Sequence, residues 1–356
     1  MYKSLYRDEV IYHYKELAQW ETNLPEAKHL TGPPFEQHSN PSIVGNVLIV
    51  TSFSPGFAFG LDKRTGKRLW KVDLKGYGMP CGSYRNLAYA SSSTALFCID
   101  PKTGKVLWRF QPLSGDREEM YSTPAFANDD LFIGDRSGRL HCLNAATGKL
   151  NWSVPTGHGQ LNSTPLVFKD RLAVVNNADR LSVFSIKDGK EFWHKNTPRA
   201  SIFRPIHHRS KLLCHDGGTS LMAISEGGKN YVPSYLKTTK IATVLSDKNF
   251  IWVLDKTIGS EDTRGKSRLL QFRDRKLVNA ISMPEHTSHI SFLPDRKSIL
   301  LNHFQGFLIY SIPKNEVTTY ISWEYGRDPL PSLPAYENKK LYVATLDSTL
   351  VCLRVP

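Results

Sequence analysis

A short phrase returns four times along this chain: LDKRTGKRLW (61–70), IDPKTGKVLW (99–108), LNAATGKLNW (143–152) and SIKDGKEFW (185–193). A phrase that recurs at nearly fixed spacing marks a supersecondary unit that cannot bury its apolar face alone and must stack on copies of itself. Ahead of each copy stands a proline followed seven residues later by an apolar residue: Pro41 and Leu48, Pro80 and Leu87, Pro124 and Leu131, Pro165 and Leu172. Pro205 with Leu212 and Pro334 with Leu341 extend the series. Two degenerate copies fit between them if Thr243 and Phe292 hold the proline slot, followed by Phe250 and Ile299. Units then start near 41, 80, 124, 165, 205, 243, 292 and 334, which makes eight.

Each unit reads as four short strands: a proline segment (STPAFAND), an apolar strand (LFIGD), an alternating strand ending in a turn (RLHCLNAATGK) and a tryptophan strand (KLNWSV). Asp or Asn followed by Thr-Gly supplies a side-chain acceptor and a residue tolerant of positive φ, as a tight hairpin requires. Four strands per repeat of this length is a propeller blade, so the expected fold is all-β, an eight-bladed β-propeller. The last unit ends at LYVATLDSTLVCLRVP without a tryptophan strand, whereas LAQWETNL around Trp20 resembles one. The N-terminal outer strand is therefore expected to complete the last blade and close the ring, removing open sheet edges. The expected division is residues 1–24, a helix plus this closing strand, and 25–356, a single propeller. Tyr2, Leu5, Tyr6, Val10, Tyr14 and Leu17 share one helical face, so a helix is expected over 1–17.

The STP-like starts, the small residue before Leu-Asp, the TGK turns and the tryptophan strands resemble the PQQ-like (pyrroloquinoline quinone-type) repeat family. The resemblance covers nearly the whole chain and is faintest from about 205 to 325, where TGK and Trp are lost. It implies two kinds of relative: quinoprotein dehydrogenases, which hold PQQ and a metal ion, and non-enzymatic scaffolds such as an outer-membrane assembly lipoprotein. The dehydrogenases are longer and commonly carry an adjacent-cysteine disulfide, and this sequence has no Cys-Cys dipeptide. The chain is accordingly read as resembling the scaffold members, without a cofactor and without enzymatic activity.

Composition agrees with a folded, charged surface: 40% of residues are hydrophobic and the formal net charge is +13. That charge favours an acidic partner. No apolar run reaches the roughly 18 residues of a membrane span, and Asp8, Glu9, Lys15, Glu16 and Glu21 interrupt the start, so the reading is cytoplasmic, or periplasmic if a leader has been removed. The five cysteines show no CxxC pair or metal-ligand spacing. Cys98, Cys142 and Cys352 share one repeat slot and read as small core hydrophobes. No nucleophile elbow, HExxH or phosphate-binding glycine loop is present. His286 and His289 lack a second ligand pair in register, so no metal is expected.

Trp20, Trp70, Trp108, Trp152 and Trp193 are assigned to packing between blades, and Gly66, Gly104, Gly148 and Gly189 to the hairpin turns. Function is sought where ring geometry converges. Positions three before each proline slot are His38, Tyr77, Tyr121, Asn162, Ile202, Lys240, His289 and Pro331, expected in one circle at the channel mouth. Connections into the slots add Lys75, His158, Gln160, Arg199, Arg204 and Arg327. The partner-binding residues are read as Tyr77, Tyr121, His158, Gln160, Asn162, Arg199, Arg204, Lys240, His289 and Arg327, a basic and aromatic rim suited to interface anchoring. The first expectation is a soluble, monomeric protein-binding scaffold or adaptor, including a neutraliser of a partner protein with an acidic surface. The alternative is a quinone-cofactor (PQQ) binding protein or oxidoreductase. Nucleic-acid binding ranks third, since no reading motif accompanies the charge.

Overall fold

A computed structural model describes residues 11–27, 30, 41–112, 122–197, 203–215, 218–256, 267–284, 287–303, 305–323, 334–345 and 347–356. Its strands form eight sheets, each a meander running from an inner to an outer strand, and consecutive sheets are consecutive blades of a β-propeller. Blade one is Ser42–Val44, Val47–Thr51, Phe57–Asp62 and Arg68–Asp73; blade three is Ala125–Ala127, Asp130–Gly134, Arg139–Asn144 and Leu150–Pro155. The second and third strands are apolar on both faces because a neighbouring blade covers each face. Val47–Thr51 is buried at every position, whereas the outer strand Glu191–Asn196 alternates half-buried and exposed. The core is thus a series of seams, such as the one where Tyr89 and Cys98 of blade two meet Leu131 and Leu143 of blade three.

One contact repeats across these seams. The Trp70 ring lies against the turn of the next blade at Gly104, and its indole N–H donates to the Pro101 carbonyl at 2.7 Å. Trp108 with Gly148 and Ala145, Trp152 with Gly189 and Ile186, and Trp193 with Gly228 and Glu226 repeat the arrangement. Ala18–Asn23 pairs antiparallel with Thr349–Arg354 as the outer strand of blade eight. Trp20 then reaches Gly66 and the Lys63 carbonyl of blade one, so the ring closes through the same contact.

The N-terminus differs from the helix expected over 1–17. Residues 1–10 lie outside the described residues, only Tyr14–Leu17 is helical, and Ile11–His13 is a strand. That strand pairs in parallel with Tyr320–Ser322, as a fifth strand on blade seven. The strand register also moves three of the proposed blade starts. In blades one, three, four, five and eight the residue after the proline pairs with the residue eight positions after it, as Ser42 with Ile49 and Ala125 with Phe132. In blade two Gly82 faces Tyr89, which puts Cys81 rather than Pro80 in that slot. In blade six Leu245 faces Trp252, which moves the slot from Thr243 to Val244. In blade seven Phe292 faces Ile299, so the turn is two residues longer and Ile290 holds the slot.

Candidate functional site

Each blade presents two kinds of loop on one face: the turn between its second and third strands, and the connection from its outer strand to the next inner strand. Backbone hydrogen bonds weld them, as Gly56 N–H to Gly76 O at 3.0 Å, Asn177 N–H to Gln160 O at 3.0 Å and Lys256 N–H to Lys240 O at 2.8 Å. The TGK turns lie at the opposite ends of the strands. The first face is the one on which the sequence analysis expects the channel mouth.

Its rim is braced by buried polar side chains at the ends of the second strands. The Ser52 hydroxyl accepts from Phe57 N–H at 3.1 Å, and Asn176 Oδ1 accepts from Arg180 N–H at 3.1 Å. Asp135, fully buried, accepts from Arg139 N–H at 2.9 Å and lies 2.9 Å from His141 Nε2. Burial pushes the Asp135 carboxyl up, but the His141 and backbone hydrogen bonds outweigh it and hold the group below the ordinary carboxylate range. These groups fix loops and leave little capacity for a ligand.

Among the described residues, the positions expected in one circle fall at different offsets from their slots. Asn162 is three before its slot; with the corrected slots Tyr77 and Lys240 are four before, and His289 is one before. His38, Tyr121, Arg199, Ile202, Arg327 and Pro331 lie outside the described residues. Tyr77 is 50% exposed and stacks on Phe53, ring centroids 5.1 Å apart. His158 and Arg204 are exposed, and the His158 carbonyl accepts from Asn176 Nδ2 at 2.9 Å. Asn162 Nδ2 donates to Gln160 Oε1 at 3.5 Å, and its own Oδ1 is buried without a hydrogen bond. On blade five Phe203 stacks on the buried His215 at 4.0 Å.

Blade six carries a buried carboxylate with cations around it. Asp255, fully buried at the end of Ile251–Lys256, accepts from the Thr239 and Lys240 backbone N–H groups at 2.8 Å each. Its other oxygen accepts from Arg268 Nη2 at 2.5 Å. Lys256 follows, half-buried, with no carboxylate within ion-pair distance among the described residues. Burial, and then the charge of Lys240, push its ammonium below the ordinary lysine range. The half-buried His289 has an Nδ1 that is buried without a hydrogen bond. Burial and the neighbouring Lys256 push its imidazole down to about 4, so it is neutral at pH 7. Asp255, Lys256 and Arg268 bound the charged stretch DKTIGSEDTRGKSR (255–268), which the sequence marks as a rim insertion and a place for partner contacts, but none of the three was among the expected rim residues.

Among the described residues no group of three or more His, Cys, Asp or Glu could hold a metal ion. The five cysteines are buried free thiols, and burial pushes Cys81, Cys98, Cys142 and Cys214 up to about 12, which makes them inert at neutral pH. No described helix is long and apolar enough to cross a membrane.

A family model described as outer membrane protein assembly factor BamB matches residues 56–124 and 111–295. Outer membrane protein assembly factor BamB of Legionella pneumophila is 27% identical over 152 residues, covering 42% of this chain and 37% of that protein. Quinoprotein alcohol dehydrogenase PedH of Pseudomonas putida is 31% identical over 160 residues, covering 39% of this chain and 26% of that protein. The chain thus spans well under half the length of these two relatives. The crystal structure of quinohemoprotein alcohol dehydrogenase from Comamonas testosteroni superposes with a TM-score of 0.68 at 13% identity, covering 96% of this chain and 77% of that one. At that identity the likeness is one of fold. The comparisons correct three expectations. The scaffold and non-enzyme readings are overturned by sequence relatives named quinoprotein alcohol dehydrogenase and alcohol dehydrogenase (quinone). The cytoplasmic reading is overturned by relatives named for outer-membrane assembly, which belong to the cell envelope.

Proposed function

Because the chain belongs to the PQQ-like β-propeller family described as outer membrane protein assembly factor BamB, we propose that it is a quinone-cofactor (PQQ) binding protein with oxidoreductase activity, using the channel mouth. The observation that carries this reading lies at the mouth end of blade six, where among the described residues Lys240, Lys256 and Arg268 stand with the single carboxylate of Asp255, which Arg268 engages. PQQ is a planar tricarboxylate, so a site for it needs cations without counter-charges and a flat ring face beside them. Lys240, Lys256 and the imidazole of His289 fit the carboxylates, and Phe203, stacked on His215 of the adjoining blade, fits the ring face. Bound there, the quinone would supply a two-electron couple for oxidation of an alcohol. The protein's own part is to orient the cofactor by charge and to take up a proton at His289, whose imidazole is neutral at pH 7.

An acidic protein partner, favoured by the net charge of +13, would in this reading accept the electrons, and the closed ring would act as a monomer in the cell envelope. The test is dye-linked oxidation of a primary alcohol by the purified chain with and without added PQQ. PQQ-dependent dye reduction, reduced at least about tenfold in Lys256→Met, is the expected result; no reduction across a panel of alcohols overturns the enzymatic reading.

A further inference from the structure

We infer that the face opposite the channel mouth docks on a bilayer with anionic headgroups, holding the disc flat and leaving the mouth open to the aqueous phase. The inference goes beyond the cofactor reading and does not rest on it.

The first observation is where the charge lies. Two kinds of turn meet this face, those between the first and second strands of a blade and those between the third and fourth. All fifteen lie within the described residues, and together they carry eighteen Lys and Arg against eight Asp and Glu. That surplus of ten makes up most of the chain's net charge of +13. The internal stretches outside the described residues are each flanked by strand ends of the mouth face, and residues 1–10 carry two cationic and two acidic side chains, so the count for this face rests on described turns. The cations encircle the ring: Lys105, Lys149 and Lys190 on blades two to four, and Lys248, Lys314 and Lys339 on blades six to eight, are all exposed.

The second observation is apolar. Among the described residues eight large hydrophobic side chains are exposed, and seven of them fall within the first three residues of an outer strand, directly after a turn of this face. Four sit at a β-bulge. Trp70 pairs with Gly60 and Arg68 with Leu61, which leaves Leu69 without a partner, and Leu107, Phe192 and Val278 hold the same place on blades two, four and six. A bulged residue is left out of the ladder, and these four are 44% to 51% exposed, so packing within the propeller does not require them to be apolar. Single exposed leucines are ordinary, whereas an apolar belt confined to the rim of one charged face marks a contact surface.

The combination favours lipid. Three residues of strand span about 10 Å, so the belt lies within reach of the depth, about 5–10 Å, to which interfacial elements enter a bilayer. Lysine stems lie along apolar surface while their ammonium groups meet headgroup phosphates. A nucleic-acid site pairs its cations with aromatic platforms for the bases, but Phe192, the single aromatic ring among the bulged residues, is covered by the Arg171 guanidinium at 4.6 Å. Protein interfaces gather their anchors at the centre of a patch and are poor in lysine. Here thirteen of the eighteen turn cations are lysine.

The test is sedimentation of the full chain with vesicles of phosphatidylcholine alone and of phosphatidylcholine with about one third phosphatidylglycerol. The chain binds the anionic vesicles at least about tenfold more tightly than the neutral ones, and less tightly as salt rises. Lys105→Glu with Lys149→Glu weakens that binding at least about tenfold. Lys75→Glu with Arg136→Glu, the same change in net charge placed at the mouth end, leaves it unchanged. Leu107→Ser with Val278→Ser, which keeps every charge, weakens it at least about threefold. Each variant is first shown to unfold in urea as the native chain does. Equal binding to both vesicles, binding to neither, undiminished binding in the turn or the apolar variant, or a mouth-end variant as weak as the turn variant overturns the inference. Tighter binding to a short DNA duplex than to the anionic vesicles at equal salt overturns it in favour of nucleic acid.

Discussion

At Gly104 the backbone turns with φ +74° while the Trp70 ring of the preceding blade lies where a Cβ would point, its nearest atoms 2.6 to 2.8 Å from that position. The residue has to satisfy two demands at once, a left-handed turn and the close approach of an indole. This explains why TGK and Trp recur together: the glycine of one blade and the tryptophan of the one before it are halves of a single contact. Gly104→Ala is expected to cost more than about 2 kcal/mol, combining the left-handed penalty with displacement of the ring. Urea unfolding of the variant checks this, and an unchanged midpoint contradicts it. The repeat was legible because this contact uses local residue types at fixed spacing. Of the residues around the cations, Lys240 and His289 were already among the expected rim positions, whereas Lys256 was not, because it ends a strand rather than lying in a connection into a slot.

Among the elements, the segment from Ile11 to Asn23 does the most with the least chain. Its first strand extends blade seven, Tyr14 is buried and stacks on Trp323 at 4.2 Å, and its second strand completes blade eight with Trp20 on blade one. Three consecutive blades are joined across the point where the chain's two ends meet. Helical periodicity misread the first part because the parallel partner, Tyr320–Ser322, lies some three hundred residues away. The slipped blade starts have a similar cause: a fixed spacing of seven cannot register a longer turn, such as the one before Ser298. Trp20→Ala is expected to lower stability by about 2 kcal/mol or more, and removal of a contact at ring closure should broaden the urea transition. A loss no larger than that of an exposed outer-strand change, such as Phe192→Ala, would contradict the staple's importance.

On the scale of the whole ring, the tryptophan and glycine contact joins blade eight through blade five, from Trp20 to Trp193. The seam from blade five to six has no such tryptophan and is bridged instead by Arg209 and Asp274 at 2.6 Å. From blade seven to eight the Tyr14 and Trp323 stack takes over. The half that departs from the repeat is also the half that holds Lys256, which among the described residues has no carboxylate within ion-pair distance. In the proposed reading, the departure from the motif over 205–325 and the cations Lys240 and Lys256 serve the same cofactor site. The measurement that tests this most directly is equilibrium ultrafiltration of PQQ against the purified chain at low ionic strength. The account predicts one PQQ retained per chain, weakened at least about tenfold by Lys256→Met; PQQ passing freely through the filter, from a chain that unfolds cooperatively, would contradict it.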